Sequence, residues 1–382
     1  MPAAVPAYLK DFFDAPPGHR FSLYYAGWND DWSKPKGGVV PMLDALKRLP
    51  EHSIKLLAAF RARQNSAAEM LGDQVLALPC IGTAPFATGL GNEHPLENGF
   101  AFLAPYGLPY LAGSGIKGVI RKAAEELASG EWGEQGEAKG WDEGAIRALF
   151  GPGEEDRTRD THPQQGALRF WDVLPLLHKN EMAVEIMTPH HGEYYQQGKH
   201  GPHNSESPNP ISFLAVPAKS TFTFFVECNA ALLRDDTLRQ AWRNLLEAAF
   251  EHAAKWLGFG AKTAVGYGRM RIDERAIEEA REKMKQQEHA DELASLSPNL
   301  RRIVEFKAAF DARAKQLLGG KDNPNTVFHE KARALARDAA GWSKEEKLAA
   351  ADAIEEWLPR VVKIDIKDER KKLKLSALRG LT

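Results

Sequence analysis

Two glycine-rich stretches carry the residue types best suited to gripping a phosphate chain. The first reads Tyr110-Leu-Ala-Gly113-Ser114-Gly115-Ile-Lys117-Gly118-Val-Ile-Arg121 and opens a helix. Glycines there let backbone N–H groups approach a phosphate at the positive end of the helix, and Lys117 and Arg121 add cations one turn apart. The spacing Gly113-x-Gly115-x-x-Gly118 also matches a dinucleotide fingerprint, but no continuous apolar strand precedes it and no repeated strand–helix pattern follows. A tight turn without a ligand would use the same glycines. The second stretch runs Gly258-Phe-Gly260-Ala-Lys262-Thr263-Ala-Val-Gly266-Tyr267-Gly268-Arg269, between a helix and a strand. Lys262-Thr263 invites comparison with a nucleotide-binding P-loop, but the required glycine spacing is missing. Such a loop can lie flat on an RNA backbone, or it can simply connect two elements.

Other clusters offer different chemistry. Thr188-Pro-His190-His191-Gly-Glu193-Tyr194-Tyr195, followed by His200 and His203, has enough ligands for a metal. The adjacent histidines do not give helical metal-ligand geometry, and a loop stacking His and Tyr on bases suits them better. His94 with Glu93 or Glu97 could serve as an acid–base pair. No nucleophile motif accompanies them, so an ordered loop is the expectation. Asp172, beside Trp171, reads as structural. The basic tail Arg370, Lys371, Lys372 and Lys374 reads as a solvated face.

The elements that must position these residues follow from periodicity. Strands are expected over 74–79, 167–173, 181–187, 211–216, 221–228 and 264–272; in 221–228, Phe222, Phe224, Val226 and Cys228 share one face. A helix with the apolar stripe Ile116, Val119, Ile120, Ala123, Ala124 and Leu127 follows Ser114, which suits its N-cap. A second helix, capped by Asp235 or Asp236, buries Leu238, Trp242, Leu245, Ala249, Ala253 and Trp256 and ends at Gly258. The order is strand, helix, strands, helix, strand, which predicts an α+β, ferredoxin-like βαββαβ layer. Residues 1–73 form a partly helical N-terminal extension, 74–273 the ferredoxin-like domain and 274–382 an all-α C-terminal extension. Residues 129–166 read as a polar insertion.

Composition narrows the class. Hydrophobic residues make up 43% and charged residues 27% of 382, as expected of a globular protein. The two cysteines, Cys80 and Cys228, exclude a disulfide scaffold and multi-cysteine zinc sites. No run of eighteen or more apolar residues suggests a membrane span, the first residues lack a signal-peptide pattern, and two cysteines far apart make a reducing, cytoplasmic home the expectation. The net charge of −2 does not suit indiscriminate coating of nucleic acid, so an RNA site must be a local patch.

Taken in order, the motifs resemble the RAMP superfamily. The glycine turn entering a helix with Lys117 and Arg121, and the late glycine loop before the last strand, carry that resemblance. Gly89-Leu-Gly91-Asn92 through Gly99, Thr188-Pro-His190-His191, and 210–217 narrow it to the sixth subunit of the Cmr complex, the type III-B CRISPR effector. The resemblance covers about residues 74–273. It implies an RRM-like domain and a non-catalytic place in the backbone of the complex near the 3′ end of the guide RNA. The implied partners are guide RNA, target RNA and other RAMP subunits, with no membrane, metal or cofactor. The implied RNA-binding residues are Gly113, Ser114, Gly115, Lys117, Gly118 and Arg121, then Gly258, Gly260, Lys262, Thr263, Gly266 and Gly268. His190, His191, Tyr194 and Tyr195 are expected to press on the guide–target duplex. The alternative is a guide-processing endoribonuclease of the same superfamily, using His94, His190 or His191.

Overall fold

Alternating apolar residues in two long strands build the central sheet. The computed structural model describes residues 8, 12, 14–25, 28–29, 31, 33, 43–44, 46–96, 98–131, 140–153, 165–188 and 210–380. The chain divides into two units, Met1–Ile277 and Glu278–Thr382.

The first unit contains, in chain order, α1 (Pro17–Phe21), α2 (Glu51–Leu71), β1 (Val75–Gly82), β2 (Phe102–Leu103), β3 (Leu108–Pro109), α3 (Gly113–Ser129), α4 (Glu143–Phe150), β4 (Leu168–Phe170), β5 (Ala183–Met187), β6 (Ile211–Ala215), β7 (Thr221–Cys228), α5 (Asp236–His252) and β8 (Met270–Ile272). The main sheet is ordered β4-β7-β1-β8 and is antiparallel throughout. With α3 after β1 and α5 after β7, this is the ferredoxin-like arrangement; a dinucleotide-binding fold would need a parallel sheet. Leu76, Leu78 and Cys80 stand opposite Val226, Phe224 and Phe222, all on one buried face. Ile116, Ile120 and Leu127 of α3 and Trp242, Leu246 and Phe250 of α5 belong to the same core. Between the two helices, His252 Nε2 lies 2.8 Å from Glu126 Oε2, which gives the buried histidine a polar partner.

On the opposite face of the sheet, α2 covers part of the surface while Ala77, Arg169 and Arg271 stay exposed. Arg61 of α2 donates to the hydroxyls of Thr223 at 2.8 Å and Thr221 at 3.4 Å. Gln64 donates to the Asp172 carbonyl at 2.8 Å. Residues before 74 also supply Phe21, Tyr25, Leu43, Leu49 and Leu57 to the main core.

Several elements differ from expectation. β5 and β6 pair with each other as a separate hairpin and do not join the main sheet. The expected insertion contains α4, whose Asp142 cap accepts from the Ala145 amide and whose Ile146, Leu149 and Phe150 are buried. The last strand begins at Met270, not 264, because Thr263–Val265 forms a 3₁₀ turn. Trp256, expected in a buried stripe, is 54% exposed. A π turn over Ala253–Leu257 adds residues per turn and rotates that side chain off the α5 stripe.

The second unit is all-α. The helix α6 (Glu274–Ser295) contains the division between units; α7 (Pro298–Gln316), α8 (Val327–Ala339), α9 (Lys344–Val361), α10 (Ile366–Lys372) and α11 (Leu375–Leu378) follow. Phe306, Phe310, Leu335, Ile354 and Leu358 form a separate core, where Ala332, Ala339, Ala350 and Ala353 let helices approach closely. Among the described residues, no helix is long and apolar enough to cross a membrane.

Candidate nucleic-acid interface

The first glycine turn uses its glycines for two different purposes. Gly113, the first residue of α3, packs against the end of β4, and a Cβ there would lie 2.1 Å from the Phe170 carbonyl oxygen. Only glycine lets the helix start this close to the strand. The Gly113 amide donates to Asp172 Oδ1 at 2.7 Å. Asp172 therefore caps α3 from 59 residues away in sequence, placing a carboxylate at the positive end of the helix. Ser114, expected as the cap, lies inside the helix; Ala112 holds the N-cap position and makes no side-chain cap.

Gly115 and Gly118 have no such neighbours. Both are exposed. A Cβ at Gly118 would meet nothing within 4 Å, and one at Gly115 would only touch Leu111 at 4.0 Å. Glycine within a helix costs roughly 1 kcal/mol relative to alanine, and among the described residues no neighbour requires it at either position. With Ser114, they make a bare, smooth strip along α3, beside the half-buried Lys117 and exposed Lys122. Arg121 is committed elsewhere. Its guanidinium bonds Glu125 at 3.0 Å and the carbonyls of Gly151 and Pro152 at 3.2 Å, bracing the chain after α4.

The late glycine loop is held between the sheet and the hairpin. A Cβ at Gly260 would fall 2.3 Å from the Ala87 carbonyl oxygen, and one at Gly268 1.8 Å from that of Phe259. Gly258, Gly260, Gly266 and Gly268 all take positive φ, as does Lys262 at φ 60°. Lys262 reaches Met187 Sδ at 2.6 Å, with its ammonium 5.7 Å from the centre of the Phe213 ring. Tyr267 donates to Glu185 Oε2 at 3.0 Å; burial, then this acceptor, push its phenol up to about 12. Thr263 packs near Gly258, while Gly266 is open, with nothing within 4 Å of the place a Cβ would take. The loop thus rests on β5 and β6, the strands flanking 189–209. His190, His191, Tyr194 and Tyr195 lie outside the described residues. Along the sheet, α3 begins beside β4 at one edge, whereas the late loop leads into β8 at the other.

His94 is occupied. Its Nδ1 accepts from the Leu96 amide at 3.1 Å, so Nε2 donates to the Phe21 carbonyl at 2.6 Å. Its ring stacks on Phe21, and burial lowers its pKa. Both ring nitrogens are thus hydrogen-bonded within the chain. Among the described residues, no cluster of three or more His, Cys, Asp or Glu could hold a metal.

The RAMP superfamily model matches residues 81–271, half of the chain. The chain belongs to the RAMP superfamily. This RAMP protein is 28% identical over 225 residues to the CRISPR system Cmr subunit Cmr6 of Pyrococcus furiosus, a match covering 48% of the chain and 63% of that relative. It therefore spans a little under two thirds of the relative's length. Among solved structures, the crystal structure of Cmr6 from Pyrococcus furiosus is 24% identical, with a TM-score of 0.29, over 52% of this chain and 97% of that one. The cryo-EM structure of the type III-B Cmr-beta bound to cognate target RNA contains a chain 20% identical, with a TM-score of 0.39, over 56% and 64%. The match to the family covers both glycine turns. The Asp172 cap was not legible in sequence, because no spacing rule links Gly113 to a residue 59 positions on. The exposure of Gly115 and Gly118 was legible, as both fall outside the apolar stripe of α3.

Proposed function

We propose that this chain is a non-catalytic, RNA-binding backbone subunit of a type III-B CRISPR effector complex, near the 3′ end of the guide RNA. The observation that carries the RNA contact is the exposed strip of Ser114, Gly115 and Gly118 on α3, where no neighbour among the described residues accounts for the two glycines. A ribose–phosphate backbone can approach such a strip closely, and Lys117 and Lys122 supply positive charge beside it. Arg121, Gly113, Gly260 and Gly268 serve the fold that presents it. The likeness to Cmr6 supports the choice of particle, with other RAMP subunits and guide and target RNA as partners.

Part of the sheet face on which RRM-type domains stack bases is taken here by Arg61 of α2. Contact through backbone phosphates would be largely independent of sequence. The occupied ring of His94 supports a non-catalytic role.

The test is co-expression of the tagged chain with sister subunits and a guide array. Co-purification of a short RNA of uniform length is expected, with no cutting of guide precursor by the chain alone in metal-free buffer. Recovery of the assembled particle without this chain's contact to RNA, or robust cutting by the chain alone, would overturn the reading.

A further inference from the structure

We infer that a cavity beside the first glycine turn receives one unpaired nucleobase, guanine by preference. The inference rests on the RNA-binding reading above and adds a base-reading site to it. The cavity, about 290 Å³, lies between the end of α1, the loop following Gly89 and Tyr110. That volume is at the lower end of the roughly 300–1,000 Å³ typical of small-molecule sites, which suits a single planar ring better than a whole nucleotide.

Its composition is that of a base site. Phe100 and Phe102, with ring centroids 4.8 Å apart, line its apolar side together with Phe21, whose ring stacks on His94, also in the lining. Tyr110 is half-buried, packs against the main core and lines the cavity. Asn92 and Glu93 are exposed and supply the polar edge. An aromatic floor with polar groups at one side is how proteins hold splayed-out RNA bases. The loop presenting that edge is fixed: a Cβ at Gly89 would lie 2.5 Å from the Ala101 nitrogen, and one at Gly99 2.5 Å from the Asn92 carbonyl oxygen.

The chemistry of Glu93 selects the base. An ionised carboxylate only accepts hydrogen bonds. Guanine offers two adjacent donors on its Watson–Crick edge, N1–H and the N2 amino group, which one carboxylate can take together. Cytosine and adenine place a ring-nitrogen acceptor beside their amino group, and uracil flanks its N3–H with carbonyls; each would set an acceptor against the carboxylate. Tyr110, in the cavity lining, stands five residues before Gly115, so its Cα lies no more than about 18 Å from that end of the strip at ~3.6 Å per residue.

The experiment measures binding of the full-length chain to a labelled single-stranded RNA, and to the same RNA with every guanine replaced by inosine, which lacks the N2 amino group. Wild type should bind the inosine RNA about tenfold more weakly, the discrimination expected for one bidentate base contact. Glu93→Gln should erase that difference, and Tyr110→Ala should weaken binding of the guanine RNA by about tenfold through lost stacking. Glu93 is exposed, so its variant tests the site even if Tyr110→Ala disturbs folding. Equal binding of both RNAs by wild type, with Glu93→Gln unchanged, would overturn the cavity while leaving the RNA-binding reading intact. Failure of wild type to bind either RNA would instead overturn the RNA-binding reading, and this inference with it.

Discussion

Gly113 and Gly118 lie five positions apart on one helix and respond oppositely to the same substitution. Gly113→Ala drives a methyl into the Phe170 carbonyl, 2.1 Å away. It should cost about 3 kcal/mol, read as a lower urea midpoint. Gly118→Ala meets nothing and removes backbone freedom from the unfolded chain. It should stabilise the protein by about 1 kcal/mol while weakening RNA binding in the particle. Stabilisation without any loss of binding would mean that nothing rests on that strip. Asp172→Ala removes the cap on Gly113 and should cost about 1 kcal/mol. At the same scale, burial raises the Cys80 thiol to about 12 and the Cys228 thiol to about 11. Neither forms thiolate at neutral pH, so both should resist alkylation in the native state and react only on unfolding.

At the scale of elements, α2 is tied to the second face of the sheet through Arg61. Burial lowers the pKa of Arg61, whose cost is offset by its bonds to Thr221 and Thr223. Arg61→Ala should destabilise the first unit by about 2 kcal/mol, the range for hydrogen bonds from a charged donor; an unchanged melting curve would refute the clamp. In the second unit, Glu346 ties α7 to α9. It accepts from the Ser297 hydroxyl at 2.5 Å and from Asn299 at 2.9 Å, and closes a capping box with Ser343. These hydrogen bonds, Ser297 foremost and then Asn299, hold its carboxyl down to about 2. Because that lies below the ordinary value of roughly 4.3, the stabilisation is present above about pH 4.3 and is lost as pH falls toward 2. Hydrogen exchange at the Leu300 and Glu346 amides should accelerate over that window in wild type. In Glu346→Gln the acceleration should be absent.

The periodic elements were legible in sequence because each buries one face. Phe222, Phe224, Val226 and Cys228 gave β7 directly, and the α3 and α5 stripes marked their helices. What escaped was set by contacts distant in sequence. Nothing local says that Asp172 caps Gly113, that Arg121 braces Gly151 and Pro152, or that β5 and β6 leave the main sheet. Trp256 was misplaced because a π turn is invisible to a fixed helical period. Of the candidate site, the glycines were legible, but their roles were not. A glycine pressed on a carbonyl and a glycine under open space look identical in a string of letters.

For the whole molecule, two units with separate cores are joined in one chain, and the RAMP domain presents an exposed strip on α3 that the proposal assigns to RNA. The direct measurement is local cleavage from that strip. A Gly118→Cys variant, carrying an iron chelate that generates hydroxyl radicals, would be assembled into the particle with end-labelled guide RNA. The buried Cys80 and Cys228 would stay unlabelled. Cuts confined to a few guide nucleotides near the 3′ end are the predicted result. Intact RNA, with cleavage falling on a neighbouring protein subunit, would contradict the account.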